Sequence, residues 1–261
     1  MMLIDAHIHL QAIQDLKTRT TLLDQIAKVH VEKLICNGIQ PEDWSGVDEI
    51  AQGNERVLPF FGVHPWYADK VVSGWDAVLE HFLKKTEAGI GEVGLDKLRT
   101  EIDWRKQIEV FQRQLQIAKE LSKPLAIHCV RAWGDLLLLL KQHLSSGMRF
   151  MTHSYRGSLE VMRELLDLGA YISFSWKSFQ HQTGTVNDLI KEVPLERLLL
   201  ETDFPYIEPH KIGTDISVER YFECLRGTYA LAARAKGMNE TELEKAVWEN
   251  GQAFLHRTTA R

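Results

Sequence analysis

The sequence predicts a distorted (β/α)8 barrel of the TIM type with extra C-terminal helices. Three observations carry that expectation. Short β-prone runs alternate with longer amphipathic ones, eight β-prone runs can be found, and polar residues able to do chemistry fall at their C-terminal ends. The runs are Leu3–His9, Lys33–Cys36, Val57–Val63, Gly89–Leu95, Leu125–Cys129, Arg149–His153, Tyr171–Phe174 and Arg197–Glu201. Their spacing, very roughly 20 to 35 residues, is that of a strand plus a crossover helix. An open doubly wound sheet is the structural alternative.

The helical runs follow from periodicity. Trp104–Leu121 places Ile108, Phe111, Leu115 and Ala118 at helical spacing. Ser158–Leu168 places Val161, Leu165 and Leu168 on one side, with Gly169 as a stop. The tail, Ser217–His256, reads as the last barrel helix plus one or two short helices. No Pro/Gly/Ser-rich linker divides the chain, so residues 1–261 are expected to form one domain.

Composition narrows the function classes. The 261 residues are 44% hydrophobic and 26% charged, enough for a sizeable core. A formal net charge of -5 argues against a broad duplex-binding surface, which needs a basic stripe. It leaves room for a nucleic acid gripped over a few phosphates in a cleft. Cys36, Cys129 and Cys224 are scattered and odd in number, which fits a reducing cytosol better than a disulfide framework. The N-terminus has neither the basic region nor the apolar length of a signal peptide. The apolar run Leu136–Leu140 is far short of the ~20 residues that span a bilayer. A soluble, cytoplasmic protein is expected.

The opening "LIDAHIHL" is the first chemical signal. Residues i and i+2 of a strand share a face, so Asp5, His7 and His9 share one and Ile4, Ala6, Ile8 and Leu10 the other. Two imidazoles ~7 Å apart along the backbone can converge on one metal ion. A pair of hydrogen-bonded core histidines is the plainer reading. Barrel chemistry sits at the C-terminal ends of strands, so the other ends decide. They carry His64, Glu92 and Asp96, His128, His153, and Glu201 with Asp203. Five of the eleven histidines therefore fall at strand ends, which scattered surface histidines would not do. Imidazoles with carboxylates suit Zn, Mn, Ni or Co, with Mg possible where water fills the shell. The set exceeds one ion's needs and suits two ions sharing a carboxylate.

Other motifs are weaker. "GIGEVG" at Gly89–Gly94 is a literal G-x-G-x-x-G, but a helical run precedes it and no helix opens at its last glycine. It is read as a strand with room made near Glu92. Cys129 faces away from His128 and is read as a buried structural thiol. Among the tryptophans, Trp66 stands out because it follows His64 at a strand end.

In this order, "DAHIHL", "GVHPW", "GEVGLD", "HCVRAW", "HSYRG" and "ETDFPY" resemble the TatD family of metal-dependent deoxyribonucleases, among the barrel-shaped hydrolases of the amidohydrolase type. The resemblance covers about residues 3–210 and extends more weakly to "ENGQAF". It implies two divalent ions (Mg, Mn or Zn). His7, His9 and Asp203 would hold one, His128 and His153 the other, and Glu92 would bridge them. Asp203 would also orient or deprotonate the attacking water, and His64 and Arg131 would contact the scissile phosphate. Asp5 is read as a supporting carboxylate. The implied substrate is DNA, at ends or single strands, cleaved by an exonuclease or 3′-end-processing activity. Departures are Trp66 where a second histidine is common, Lys97 where an aromatic follows "GLD", Ser154 where a cysteine is common, and the divergent stretch after Tyr206. The rival readings are the same metal chemistry on amides, lactones, other esters or charged tRNA, and a barrel that binds without catalysing. A lysine near the end of strand four often marks the former; Glu92 stands there instead.

Overall fold

Alternating apolar faces build eight parallel strands: β1 (Leu3–Ile8), β2 (Val31–Asn37), β3 (Val57–Phe60), β4 (Ile90–Asp96), β5 (Leu125–Val130), β6 (Phe150–Thr152), β7 (Tyr171–Ser175) and β8 (Leu198–Glu201). They come from a computed structural model that describes residues 2–181, 183–205, 207–208, 211–212 and 216–256. Helices α1 (Leu16–Lys28), α2 (Trp44–Gly53), α3 (Trp75–Lys85), α4 (Trp104–Leu121), α5 (Trp133–His143) and α6 (Leu159–Asp167) follow the first six strands in turn. α7 (Trp176–His181) and α8 (Thr183–Glu192) link β7 to β8. Past β8 come a two-residue antiparallel pair, β9 (Ile207–Glu208) and β10 (Lys211–Ile212), then α9 (Val218–Lys236) and α10 (Glu240–Leu255).

The arrangement is TIM-barrel-like, and its distortion has a specific form. Strands β1 to β3 make one arc and β4 to β8 a second. Single bridges, Ile8 with Phe204 and Phe60 with Gly89, join the arcs in place of continuous ladders. At the first seam His9 N donates to Phe204 O at 2.8 Å and Asp203 N to His7 O at 2.9 Å. At the second, Phe61 N donates to Gly89 O at 3.1 Å. Pro59 in β3 has no N–H to extend that ladder. The Phe60 ring also crowds the seam, since a Cβ on residue 89 would lie 2.2 Å from it.

Local signals set the helix ends. Asp103 caps α4 by accepting from Arg105 N at 2.8 Å, and Ser158 caps α6 by accepting from Val161 N at 3.4 Å. Gly169 ends that unit at φ +90°, where a side chain would be strained. The strand ends differ by one to three residues from expectation, β2, β5 and β7 running longer and others shorter or shifted. β1 stops at Ile8, and β3 at Phe60 rather than Val63. His9 and His64 thus sit just beyond strands, where the chain turns outward. The tail also differs: α9 has 19 residues and α10 has 16, so neither is short. Tyr229 of α9 donates to Ile4 O at 2.8 Å, and Asn250 of α10 donates to Leu198 O at 2.8 Å. Both helices therefore brace the strands beside the first seam, which explains their length. Among the described residues, no helix is long and apolar enough to cross a membrane.

Candidate metal centre

Glu92 is the hub. It is buried, on β4, and its two oxygens face different partners. Oε2 lies 3.3 Å from His7 Nε2 and 3.4 Å from His9 Nε2. Oε1 lies 2.8 Å from His128 Nδ1, 2.8 Å from His153 Nε2 and 3.2 Å from His64 Nε2. Asp203 Oδ1 stands 3.4 Å from His9 Nε2 and 4.0 Å from His7 Nε2. The structure thus brings together all six residues expected to hold metal, with His64 beside them. Arg131 lines the same cleft but is exposed, with no hydrogen bond or ion pair among the described residues.

The backbone is bent to achieve this. Arg131, Ser154 and Asp203 take φ values of +54°, +44° and +58°, all non-glycine and all just past strand ends. Such strain persists only where surroundings over-determine it, and it clusters at functional sites. Gly94, in the G-x-G-x-x-G run, sits at φ +141°, and a Cβ there would lie 2.0 Å from His128 O. That glycine lets β4 lie close against β5; it belongs to no dinucleotide loop.

Outer contacts fix which ring nitrogen faces inward. His9 Nδ1 is 2.8 Å from Asn37 O; a carbonyl only accepts, so the proton is on Nδ1 and the Nε2 lone pair faces the centre. His153 Nδ1 meets Glu201 Oε1 at 3.3 Å, again leaving Nε2 inward. His128 Nε2 is 3.5 Å from Asp96 Oδ2, leaving Nδ1 inward. His64 is the opposite. Its Nδ1 accepts from Trp66 N at 3.2 Å, so the neutral ring carries its proton on Nε2, toward the centre. His64 is a donor there, while His9, His128 and His153 offer lone pairs.

Electrostatics tell the same story. Burial opposes the charge on Glu92, yet the electrostatic pull of the neighbouring His153 and His64 rings and hydrogen bonds from His128 and His153 hold it well below the carboxylate range. Burial also opposes charge on His9, but hydrogen bonds to Asp203 and Glu92 outweigh it and lift the imidazole to about 10. Burial lowers His64 to about 4 despite the pull of Glu92, so it is neutral at pH 7. Positive charge is therefore demanded between these carboxylates, and a cation would satisfy that demand with all rings neutral.

The donor set fits metal. Two overlapping trios, His7–His9–Glu92 and His7–His153–Asp203, have ligand atoms within 4.8 Å of one another; His64, Glu92 and His128 lie as close, but His64 turns its proton and not a lone pair to that group. His7 Nε2 and His9 Nε2 are 3.1 Å apart. Two nitrogens on one tetrahedral zinc lie about 3.3 Å apart for bonds of ~2.05 Å.

Supporting residues were only partly visible in the sequence. Asp5 accepts from Thr202 N at 2.9 Å and Thr202 Oγ1 at 2.6 Å, and so anchors the turn that presents Asp203. Burial raises its carboxyl to about 7 against those bonds. Glu201, given no role above, accepts from Ser173 Oγ at 2.6 Å and Ser154 N at 2.7 Å as it orients His153. Trp66 Nε1 donates to Asp96 Oδ2 at 2.7 Å, on the oxygen that faces His128. Cys129 is buried, and burial pushes its thiol up, away from thiolate chemistry.

A family model described as TatD related DNase matches residues 4–256. The chain belongs to the TatD family. A relative from Buchnera aphidicola subsp. Baizongia pistaciae, named an uncharacterized metal-dependent hydrolase, is 30% identical over 212 residues, 80% of each chain. A protein of Citrobacter koseri named 3'-5' ssDNA/RNA exonuclease TatD is 29% identical over 212 residues, 80% of this chain and 82% of its own. The crystal structure of a TatD homologue from Escherichia coli K12 superposes with a TM-score of 0.84 at 23% identity, covering 97% of both chains, which speaks for the fold. This TatD-family chain is a metal-dependent hydrolase.

Proposed function

We propose that the chain is a divalent-metal-dependent phosphodiesterase that trims nucleic-acid ends, DNA foremost. The observation that carries the reading is Glu92, whose two oxygens face two sets of imidazoles. The relative named as a 3'-5' ssDNA/RNA exonuclease supports the substrate class.

In this reading His7, His9, Asp203 and Glu92 would hold one ion, and His128, His153 and Glu92 would hold the other. Bound ions supply Lewis acidity and bring a water's pKa toward neutrality. The protein's own residues do the rest. Asp203 lines the cleft with its side chain 12% exposed, placed to take the proton of the attacking water. His64, neutral and with its proton on Nε2, donates to a phosphoryl oxygen. Arg131, whose guanidinium has no ion pair among the described residues, offers it to the same phosphate as charge builds there. Asp96 and Glu201 keep His128 and His153 turned inward.

The test uses 5′- and 3′-labelled single- and double-stranded oligonucleotides with Mg, Mn or Zn, beside small amides and lactones. Metal-dependent shortening from an end, removed by chelator, is the expected outcome. Hydrolysis of the amides or lactones without the oligonucleotides would overturn the nuclease reading. Cleavage indifferent to chelator would overturn the metal reading.

A further inference from the structure

The cleft is larger than the metal centre needs. Its volume is about 680 Å³, within the range of ligand pockets. Beyond the imidazoles it is lined by Arg99, Arg131, Arg156, Trp66, Trp133 and Leu98. These come from the ends of three successive βα units, after β3, β4 and β5, and, for Arg156, from the turn after β6.

The three arginines differ. Arg99 pairs with Glu101 at 2.6 Å and lies over the Trp66 ring at 5.3 Å. Arg131 and Arg156 are exposed and have no ion pair or hydrogen bond among the described residues. Acidic residues crowd the floor below them, yet those carboxylates are matched by imidazoles and Trp66. In a chain of net charge -5, two unmatched guanidiniums at one mouth are available to an anion from outside. Beside them, Trp133 is half-buried at the start of α5, packed on one side by Tyr155 with ring centroids 4.9 Å apart. Leu98, 51% exposed, adds apolar wall. Guanidiniums with an indole and an apolar wall are what a phosphodiester chain recognises, the charges taking phosphates and the indole a base.

We propose that Arg156, beside Arg131 at the scissile phosphate, forms a second anion subsite that holds the neighbouring phosphate, and that Trp133 stacks on the base between them. The subsite makes an oligonucleotide, rather than a mononucleotide or a simple phosphate ester, the substrate class. It rests on the nuclease reading for the identity of the first phosphate. Arg156 lies outside the catalytic set and on the surface, so its replacement leaves the fold intact.

The experiment reads binding apart from catalysis. A fluorescein-labelled single-stranded thymidine pentanucleotide is titrated onto the purified full chain, with chelator present, across a salt series. Wild-type affinity should fall with salt. Arg156→Gln should weaken binding roughly tenfold and flatten the logarithmic salt slope by roughly 0.7, the share of one phosphate contact on a single strand. Arg156→Lys should keep the slope, and Trp133→Leu should weaken binding without changing it. Metal is then restored and hydrolysis of bis(p-nitrophenyl) phosphate measured, on which Arg156→Gln should match wild type. Equal affinity and slope in Arg156→Gln and wild type overturn the subsite. So does an equal loss on the small diester, which would place Arg156 at the reacting phosphate. Tight, salt-dependent binding without cleavage of either substrate on adding metal overturns the nuclease reading alone and supports the subsite.

Discussion

The floor and the mouth of the cleft are built on opposite terms. On the floor, Glu92, Asp96, Glu201 and Asp203 are buried and each carboxylate has imidazole partners within 3.5 Å. At the mouth, Arg131 and Arg156 are exposed and unpartnered among the described residues. A buried charge without a partner costs several kcal/mol, so the floor must be complete before any ligand arrives. An exposed guanidinium costs little unpaired, so the mouth can wait for its counter-charge. The floor is thus suited to hold ions in fixed positions, and the mouth to select among substrates.

Graded substitutions separate the two. The largest effect is expected from Glu92→Gln, which removes the one negative charge the two ligand sets share. Metal-dependent hydrolysis should fall roughly a thousandfold or more. The rise in Tm that added Zn or Mn gives the wild type should also vanish, since a ligand stabilises only a state it binds. Activity retained in this variant would place the centre elsewhere. His128→Ala should behave alike, with the fold largely kept by circular dichroism.

Next in size is Asp96→Asn. Removing the carboxylate behind His128 should weaken metal binding by roughly 10–100-fold, read by calorimetry, while the oligonucleotide salt slope stays put. Smaller still is Trp66→Phe. It deletes one hydrogen bond to Asp96, worth about 1 kcal/mol, and metal affinity should drop a few-fold. If Trp66→Phe instead altered the salt slope with metal affinity unchanged, Trp66 would belong to the mouth, and the division drawn here would move.

The same contrast governs what the sequence discloses. His7 and His9 are legible because a strand's period of two fixes their common face, and Glu92, His128 and His153 because parallel strands deliver their ends to one rim. The TIM-type fold is legible for the same reason, from alternation. What depends on the bent backbone is not. Arg131, Ser154 and Asp203 adopt left-handed φ without being glycine, and no local pattern announces that. The bond from Trp66 to Asp96 joins residues 30 apart through a turn whose shape the composition does not encode. Arg156, read as part of "HSYRG", carries no signal of being unpaired until its neighbours are in place. The lengths of α9 and α10 follow from bracing the barrel, a tertiary demand. Residues 209, 210 and 213–215 of the divergent stretch after Tyr206 fall outside the described residues; the rest forms β9, β10 and the entry into α9.

The split sheet has a mechanical side. β1 supplies His7 and the chain just past it His9, while Glu92, His128, His153 and Asp203 come from the other arc or the turn that leaves it. Coordination that engages both groups would also rivet two half-barrels whose ladder contacts, among the described residues, are isolated bridges. Loading the centre should therefore stiffen the seams first. The N–H groups of His9 and Asp203, which bond across one seam, should exchange with solvent more slowly once Zn or Mn is added, while those within β5 and β6 change little.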